Sequence, residues 1–189
     1  MKKGLKIAII VIAILAVIFV PMIGTYNGLV SLEQQVQTTE ADLNAQLQRR
    51  SDLIPNLVST VKGYASQEKD IFTSIADSRA KLAGASNMQE KANANSELSN
   101  ALSRLLVVVE NYPQLKSNEN FKDLTVALEG TENRIAIKRE DYNKIVSQYN
   151  SKIKKFPTNI AASIFGFKEK EYFKASEGAE QAPKVEFNK

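Results

Sequence analysis

The chain contains no cysteine, no histidine and no tryptophan among its 189 residues. Without cysteine it has no disulfide, no thiolate nucleophile and no zinc–thiolate site. Without histidine it lacks the usual general base near neutral pH and the commonest metal ligand, and it cannot be a di-iron bundle, which needs Glu-x-x-His on facing helices. An enzyme would have to use a carboxylate pair or a serine–lysine pair, and no spacing singles out either. We therefore expect no catalytic residue, no metal and no cofactor.

Proline and glycine are also scarce, with five and eight copies, while 43% of the residues are hydrophobic. This composition is ordinary for a folded protein, and the length allows one domain with a sizeable core. Lysine and arginine exceed aspartate and glutamate by 25 to 21, a net charge of +4. The excess is small, and the sequence has neither a glycine-rich phosphate loop nor interleaved aromatic and basic residues. We expect no nucleic-acid partner.

The N-terminus carries a long apolar stretch at residues 5–23, and positions 7–20 contain no charged residue. A helix of about 20 apolar residues crosses a bilayer. A cleaved signal peptide is the alternative, but its apolar region is usually about 7–15 residues long and ends in a small-x-small site, whereas this stretch ends in VPMIG. No cysteine follows, which excludes a lipoprotein anchor. The sequence predicts a short leader at 1–6 and an uncleaved transmembrane helix at 7–23.

Basic residues flank this predicted span unequally. Lys2, Lys3 and Lys6 precede it, and the next basic residue is Arg49. Cytoplasmic flanks of membrane helices carry the excess of lysine and arginine. The sequence therefore predicts a cytoplasmic N-terminus, with the rest of the chain on the outer side of the cell membrane.

Residues 43–82 carry the strongest helical pattern in the chain. Their apolar side chains alternate by steps of four and three, a spacing that places one narrow stripe along a bundle helix. Three polar residues, Arg50, Glu68 and Ser78, fill the remaining stripe positions. The apolar members are Leu43, Leu47, Ile54, Leu57, Val61, Tyr64, Ile71, Ile75 and Leu82.

Two positions compete as the break in this helical stretch. Pro55 lies within the stripe and favours a kink, because proline removes a helical hydrogen bond. The segment 63–66 is the other possible break, where Ser66 would cap a new helix. The stretch should end near residues 83–87, which are small and turn-forming. Upstream, the apolar face is expected to continue through Tyr26, Val30 and Val36.

Two further helical blocks follow. The first, at 98–112, has the same spacing and is ended by Pro113, which a loop follows. The second, at 121–156, begins after Asn118, a suitable N-cap, and is about 54 Å long. Asn159 is expected to cap a short apolar helix near the end of the chain.

These blocks predict an all-α fold, because no stretch alternates as a β-strand does. A helix as long as 121–156 needs an equally long apolar partner, which only residues 26–82 supply. The prediction is an N-terminal transmembrane helix followed by an antiparallel bundle of three or four long helices at 24–173. The tail at 174–189 is polar and small, and it is expected to be disordered.

Several motifs in this order and spacing resemble the LemA family. They are QLQRRSDLIPNLV at 46–58, TVKGYA at 60–65, YPQLKSN at 112–118, TENRIA at 131–136, YN at 149–150 and FP at 156–157. The resemblance implies a bacterial membrane protein with one N-terminal span and a helical-bundle domain, and it implies no established activity. Relatives often carry a tryptophan near Glu40 and a histidine where this chain has Gln67, and this chain has neither.

Four residues are candidates for binding or for fixing helix register. Arg49, Arg50 and Asp52 form a cluster, and adjacent arginines can grip carboxylates or phosphates. The alternative, favoured by its stripe position, is that Arg50 pairs with an acidic residue of a neighbouring helix. Glu68 is a candidate of the same kind, but in a continuous helix it would lie about 27 Å from Arg50. Ser51 is interpreted as a helix cap rather than a nucleophile.

We expect a membrane-anchored scaffold or adaptor of the bacterial inner membrane, with the membrane and envelope proteins as partners. One alternative is a lipid- or peptide-binding bundle that uses the apolar segment 160–173. Another is a hydrolase with carboxylate or serine–lysine chemistry. Residues 134–155 hold seven basic residues, which either meet anionic lipid or form a solvated helix face. The oligomeric state is not predicted.

Overall fold

The computed structural model describes residues 3–174, with their side chains except those at 3, 6–8 and 14–19. This range contains six α-helices and no β-strand, which confirms the all-α prediction. Residues 175–189 of the predicted tail, and Met1 and Lys2 of the predicted leader, lie outside the described residues. The helices are α1 (Lys3–Lys62), α2 (Lys69–Gly84), α3 (Met88–Val109), α4 (Pro113–Ser117), α5 (Glu119–Lys154) and α6 (Thr158–Phe165).

Helix α1 continues through Pro55 and ends at Lys62, so the second predicted break, at 63–66, is the correct one, and it extends to Glu68. The helix is closed by the backbone N–H groups of Tyr64 and Ala65, which both donate to the carbonyl of Val61. The predicted capping by Ser66 was wrong, because α2 begins three residues later and Glu68 occupies its N-cap position. Tyr64, predicted on the stripe, is exposed because the helical period has already ended.

A tight connection joins α2 to α3. Asn87 is the N-cap of α3, and its side chain accepts a hydrogen bond from the Glu90 N–H at 2.8 Å. Glu90 reaches back in turn, accepting from the Ser86 N–H at 2.7 Å. These reciprocal bonds satisfy N–H groups that the first turn leaves free. A connection this short makes the two helices antiparallel neighbours.

The connection between α3 and α5 differs from the prediction. The expected loop after Pro113 is a five-residue helix, α4, with the proline in its first turn, where its missing N–H is not needed. Asn118 caps α5 as predicted, because its side chain accepts from the Phe121 N–H at 3.0 Å. Leu115 of α4 is fully buried, which ties this short helix to the core.

The chain divides into two compact units. The second contains Asp42–Glu140 and the described residues from Glu171 onward. Its core consists mainly of predicted stripe residues of α1 to α3, joined by Phe72, by Leu115 of α4 and by the start of α5. Members of this core are Ile54, Leu57, Val61, Ile71, Phe72, Ile75, Leu82, Leu98, Leu102, Leu105, Val109, Leu115 and Phe121.

The first unit contains the described part of Met1–Ala41 together with Asp141–Lys170. On α1 it buries Leu29 and Val36, spaced by seven residues, whereas Tyr26 and Val30 are about 40% exposed. The predicted upstream face was therefore wrong for Val30, which follows Leu29 by one residue and so lies about a quarter turn away. Among the described residues of this unit, six more apolar side chains are buried, namely Tyr142, Val146, Tyr149, Ile153, Ala161 and Ala162.

The N-terminal part of α1 includes the predicted membrane span at 7–23. Side chains at 7, 8 and 14–19 lie outside the described residues. Within the part of the chain that is described, no helix combines the length and the apolar composition that crossing a membrane requires.

Candidate functional site

Arg50 lies on the inner face of α1 and contacts two other helices. Its side chain is 6% exposed. Nη1 donates hydrogen bonds to Asn95 Oδ1 at 2.9 Å and to Ser99 Oγ at 3.0 Å, both on α3. The same nitrogen lies 2.7 Å from Glu132 Oε2 on α5. The acidic partner expected for a charged stripe residue is therefore present, on a neighbouring helix.

The geometry of this cluster leaves two polar atoms unsatisfied. Nη1 carries two hydrogens, and Asn95 and Ser99 receive them, so Glu132 makes an ion pair without an aligned hydrogen bond. Glu132 Oε2 and Arg50 Nε are both buried and have no hydrogen-bond partner among the described residues. Burial lowers the pKa of the Arg50 guanidinium, and the Glu132 carboxylate partly opposes this shift. A guanidinium still stays charged, so the cluster holds a buried cation with one free donor.

A cavity of about 260 Å³ adjoins this cluster within the second unit. Leucines of three helices form its walls, and its polar lining includes Arg50 itself. Leu106 and Ser103 at its edge are exposed, so the cavity is open to solvent. Ligand pockets usually measure about 300–1,000 Å³, so this one fits a single side chain better than a cofactor. The lining residues are Arg50, Leu57, Ser99, Leu102, Ser103, Leu106, Thr125, Leu128, Glu129 and Glu132.

The other predicted site residues do not join this cluster. Arg49 is exposed. Asp52 is also exposed and accepts a hydrogen bond from Gln48 Nε2 at 2.8 Å, one turn earlier on α1. Glu68 is half-buried and precedes the first residue of α2. None of these three lines the cavity, so only Arg50 of the predicted set belongs to it.

Ser51 is not a helix cap. It lies inside α1, where the predicted capping role is wrong because the helix has no end there. Arg79 Nε of α2 donates to the Ser51 carbonyl and to Ser51 Oγ, each at 3.1 Å. The arginine thus joins α2 to α1, and its permanent charge makes it unable to accept a proton from the hydroxyl.

Sequence reasoning missed Glu132, Asn95 and Ser99. Glu132 belongs to the TENRIA motif and follows the buried Thr131 of α5 by one position, which was a usable signal. Asn95 is buried among the apolar positions of α3, and a buried amide on such a face implies a polar partner. Within the described range, no group of three or more acidic side chains is placed to hold a metal ion.

Comparison with known proteins identifies the family. The model of the LemA family matches residues 39–187. Magnetosome protein MamQ 2 of Paramagnetospirillum magneticum is 31% identical over 199 residues, covering 90% of this chain and 73% of that protein. Magnetosome protein MamQ of Magnetospirillum gryphiswaldense is 31% identical over 195 residues, covering 89% and 71%. Protein LemA of Metamycoplasma hominis is 24% identical over 156 residues, covering 82% and 71%. On these matches the chain belongs to the LemA family.

Proposed function

We propose that this chain is a membrane-anchored helical adaptor of the bacterial cell envelope that binds another protein and catalyses no reaction. The observation that carries the proposal is the leucine-walled cavity beside Arg50. Arg50 adds a buried positive charge to the leucine lining. A protein segment that inserts an apolar side chain among the leucines and places a carbonyl or amide oxygen near the guanidinium would match both features.

Attachment to the membrane rests on the N-terminal part of α1. The side chains of residues 9–13 are all apolar and exposed. The four large ones, from Ile9 to Ile12, are 49–66% exposed. Burying such surface in lipid stabilises by about 25 cal/mol per Å². The basic residues before the apolar stretch support a cytoplasmic N-terminus and helical units on the outer side. Relatives named as magnetosome proteins support a role within a larger cellular assembly.

The adaptor role is supported by what the site contains. Arg50 is held by fixed partners on α3 and α5. The leucine walls and the charged side chains of Arg50, Glu129 and Glu132 offer a partner both an apolar and a charged surface. This lining favours recognition by shape, hydrogen bonding and charge.

The test is photo-crosslinking from the cavity edge in native membranes. A photo-crosslinking amino acid replaces Leu106, which lines the cavity, or its neighbour Val107, which is exposed but does not line it. We expect defined protein adducts from position 106 and few from position 107. Ser103→Phe should fill the cavity and remove the adducts at 106, with helix content and melting temperature unchanged. Equal adducts from both positions, or adducts that persist after Ser103→Phe, would contradict a partner site in this cavity.

A further inference from the structure

Helix α6 exposes its large apolar side chains and buries its small ones. Ile164 is 63% exposed and Phe165 is 47% exposed, whereas Ala161 and Ala162 are buried. Phe156, just before the helix, is 81% exposed. A surface that keeps bulky apolar groups in contact with water marks an interaction site. We call Phe156, Ile160, Ile164 and Phe165 the α6 patch.

Aromatic contacts place the α6 patch beside the end of the N-terminal apolar stretch. The ring centroid of Tyr26 lies 4.8 Å from that of Phe165 and 5.8 Å from that of Phe167. Tyr26 follows Ile23, the last residue of the stretch, by only about 4.5 Å along the helix axis. The headgroup layer on each side of a bilayer is about 5–7 Å thick. If the stretch spans the hydrocarbon core, the α6 patch lies at headgroup depth, where tyrosine is enriched.

The position of α6 is fixed by polar contacts in the segment that follows it. Asn150 Nδ2 donates to the Lys170 carbonyl at 2.8 Å, and the Lys170 N–H donates to Asn150 Oδ1 at 2.9 Å. Lys170 Nζ also contacts Glu33 Oε1 on α1 at 2.6 Å. This segment is therefore tied to both long helices of the first unit, so the patch has a defined orientation.

The charge around the α6 patch matches an anionic surface. Residues 151–170 contain five lysines and one glutamate, five minus one giving +4. Lys154 pairs with that glutamate at 2.5 Å, and Lys170 pairs with Glu33. Lys155 and Lys168 are exposed and make no ion pair within the described part of the chain. Basic side chains that flank apolar ones are what an interfacial helix presents to anionic lipid.

We propose that the α6 patch is a second membrane contact, which lies on the headgroup layer of an anionic bilayer. It rests on the proposed membrane attachment of α1 and fixes how the first unit is oriented on the membrane. A second copy of the chain is a poorer occupant, because a two-fold interface places the same patch on both sides and would bring two +4 segments together.

The test uses tryptophan fluorescence of the full chain in vesicles. Since the chain has no tryptophan, one introduced residue reports one position. Ile164→Trp reports the α6 patch, and Ile12→Trp reports the apolar stretch. Gln37→Trp is the control, because it is exposed on α1 and lies about 21 Å beyond Ile23. Circular dichroism checks that each variant keeps its helix content.

In vesicles of phosphatidylglycerol and brominated lipid, we expect the tryptophan emission of Ile164→Trp to shift to the blue. Its fluorescence should be quenched nearly as much as that of Ile12→Trp, and the fluorescence of Gln37→Trp should not be quenched. Lys155→Gln with Lys168→Gln should reduce the quenching of Ile164→Trp, as should phosphatidylcholine in place of phosphatidylglycerol. Quenching at Ile12→Trp alone would overturn this inference and leave the attachment intact. Loss of quenching at both positions would overturn the attachment as well. A blue shift at Ile164→Trp without quenching would assign the patch to a protein contact and reject the lipid one.

Discussion

Arg50→Ala tests whether the buried ion pair holds the helices of the second unit together. The change removes the donors to Asn95 and Ser99 and leaves Glu132 without its cation. Breaking a buried pair from one side costs about 3–5 kcal/mol. Because the Glu132 side chain is 47% exposed and can turn towards water, we expect a loss of about 2–4 kcal/mol.

The assay is thermal and urea unfolding of the full chain in detergent, followed by circular dichroism. For a chain of this size the loss corresponds to a fall of about 5–15 °C in melting temperature. The melting temperature of Arg50→Met should fall by less, because the longer apolar side chain fills the space that alanine leaves. Arg49→Ala is the matched control, since Arg49 is the exposed neighbour and its loss should stay within about 0.5 kcal/mol.

One result would refute this reasoning. If Arg50→Ala melts like the wild type while the adducts at position 106 disappear, Arg50 acts as a ligand-binding residue that contributes nothing to the fold. The structural interpretation requires that Arg50→Ala lowers the melting temperature. Any loss of adducts at position 106 should then accompany this loss of stability.

Three further predictions follow from single contacts and from the charge pattern. Protease added to intact cells without their outer layer should digest the helical units; digestion only after lysis would reverse the proposed orientation. Asn118→Ala removes the cap on the Phe121 N–H and should cost about 1 kcal/mol in urea unfolding, whereas exposed Asn120→Ala should cost little. Hydrogen bonds from Ser86 lower the pKa of Glu90 below its usual 4.5. The Glu90 carboxylate therefore contributes its full stabilisation above that value, and this is lost as the pH falls through the lower folded-state pKa. The urea midpoint of Glu90→Gln should lack this acid-dependent loss. Identical pH profiles of the urea midpoint for the wild type and Glu90→Gln would contradict the prediction.

Local patterns predicted the helical parts of this fold well. The four-three stripe correctly identified buried residues such as Ile54, Leu57 and Ile75, because burial on one helix face needs only the helical period. Asn118 was found by its chemistry, since an amide oxygen can accept from the first turn. Arg50 was recognised because a charge on an apolar face implies a partner.

Features that depend on competition between neighbours were harder to predict. Pro55 favours a break by its chemistry, yet α1 continues through it. Pro113 ends α3 as predicted, but it also begins a helix, α4, because proline suits the first turn. Asn159 was predicted as a cap, but it is the second residue of α6, whose preceding residue is Pro157.

The identity of Arg50's partners could not be predicted from the sequence. Glu132 is 82 positions away along the chain, and pairing between distant helices depends on which register they adopt rather than on any local period. Helix α5 carries several acidic residues, and nothing in their spacing distinguishes among them. The cavity is a further consequence of that register, because its walls come from three helices.

The ion pair therefore bears on register more than on net stability. Replacing both members of a buried pair by apolar residues is often neutral, and Asn95 has to be replaced as well, because its buried oxygen accepts from Arg50. The triple variant Arg50→Met with Asn95→Leu and Glu132→Leu should therefore melt near the wild-type temperature. A shift of α1 against α5 by one turn, about 5.4 Å, would separate the wild-type charge from Glu132, whereas the triple variant has no charge to misplace. We therefore expect the triple variant to keep its stability and to give broadened or duplicated amide signals in NMR spectra. A single sharp set of signals from a stable triple variant would show that apolar packing alone selects the register.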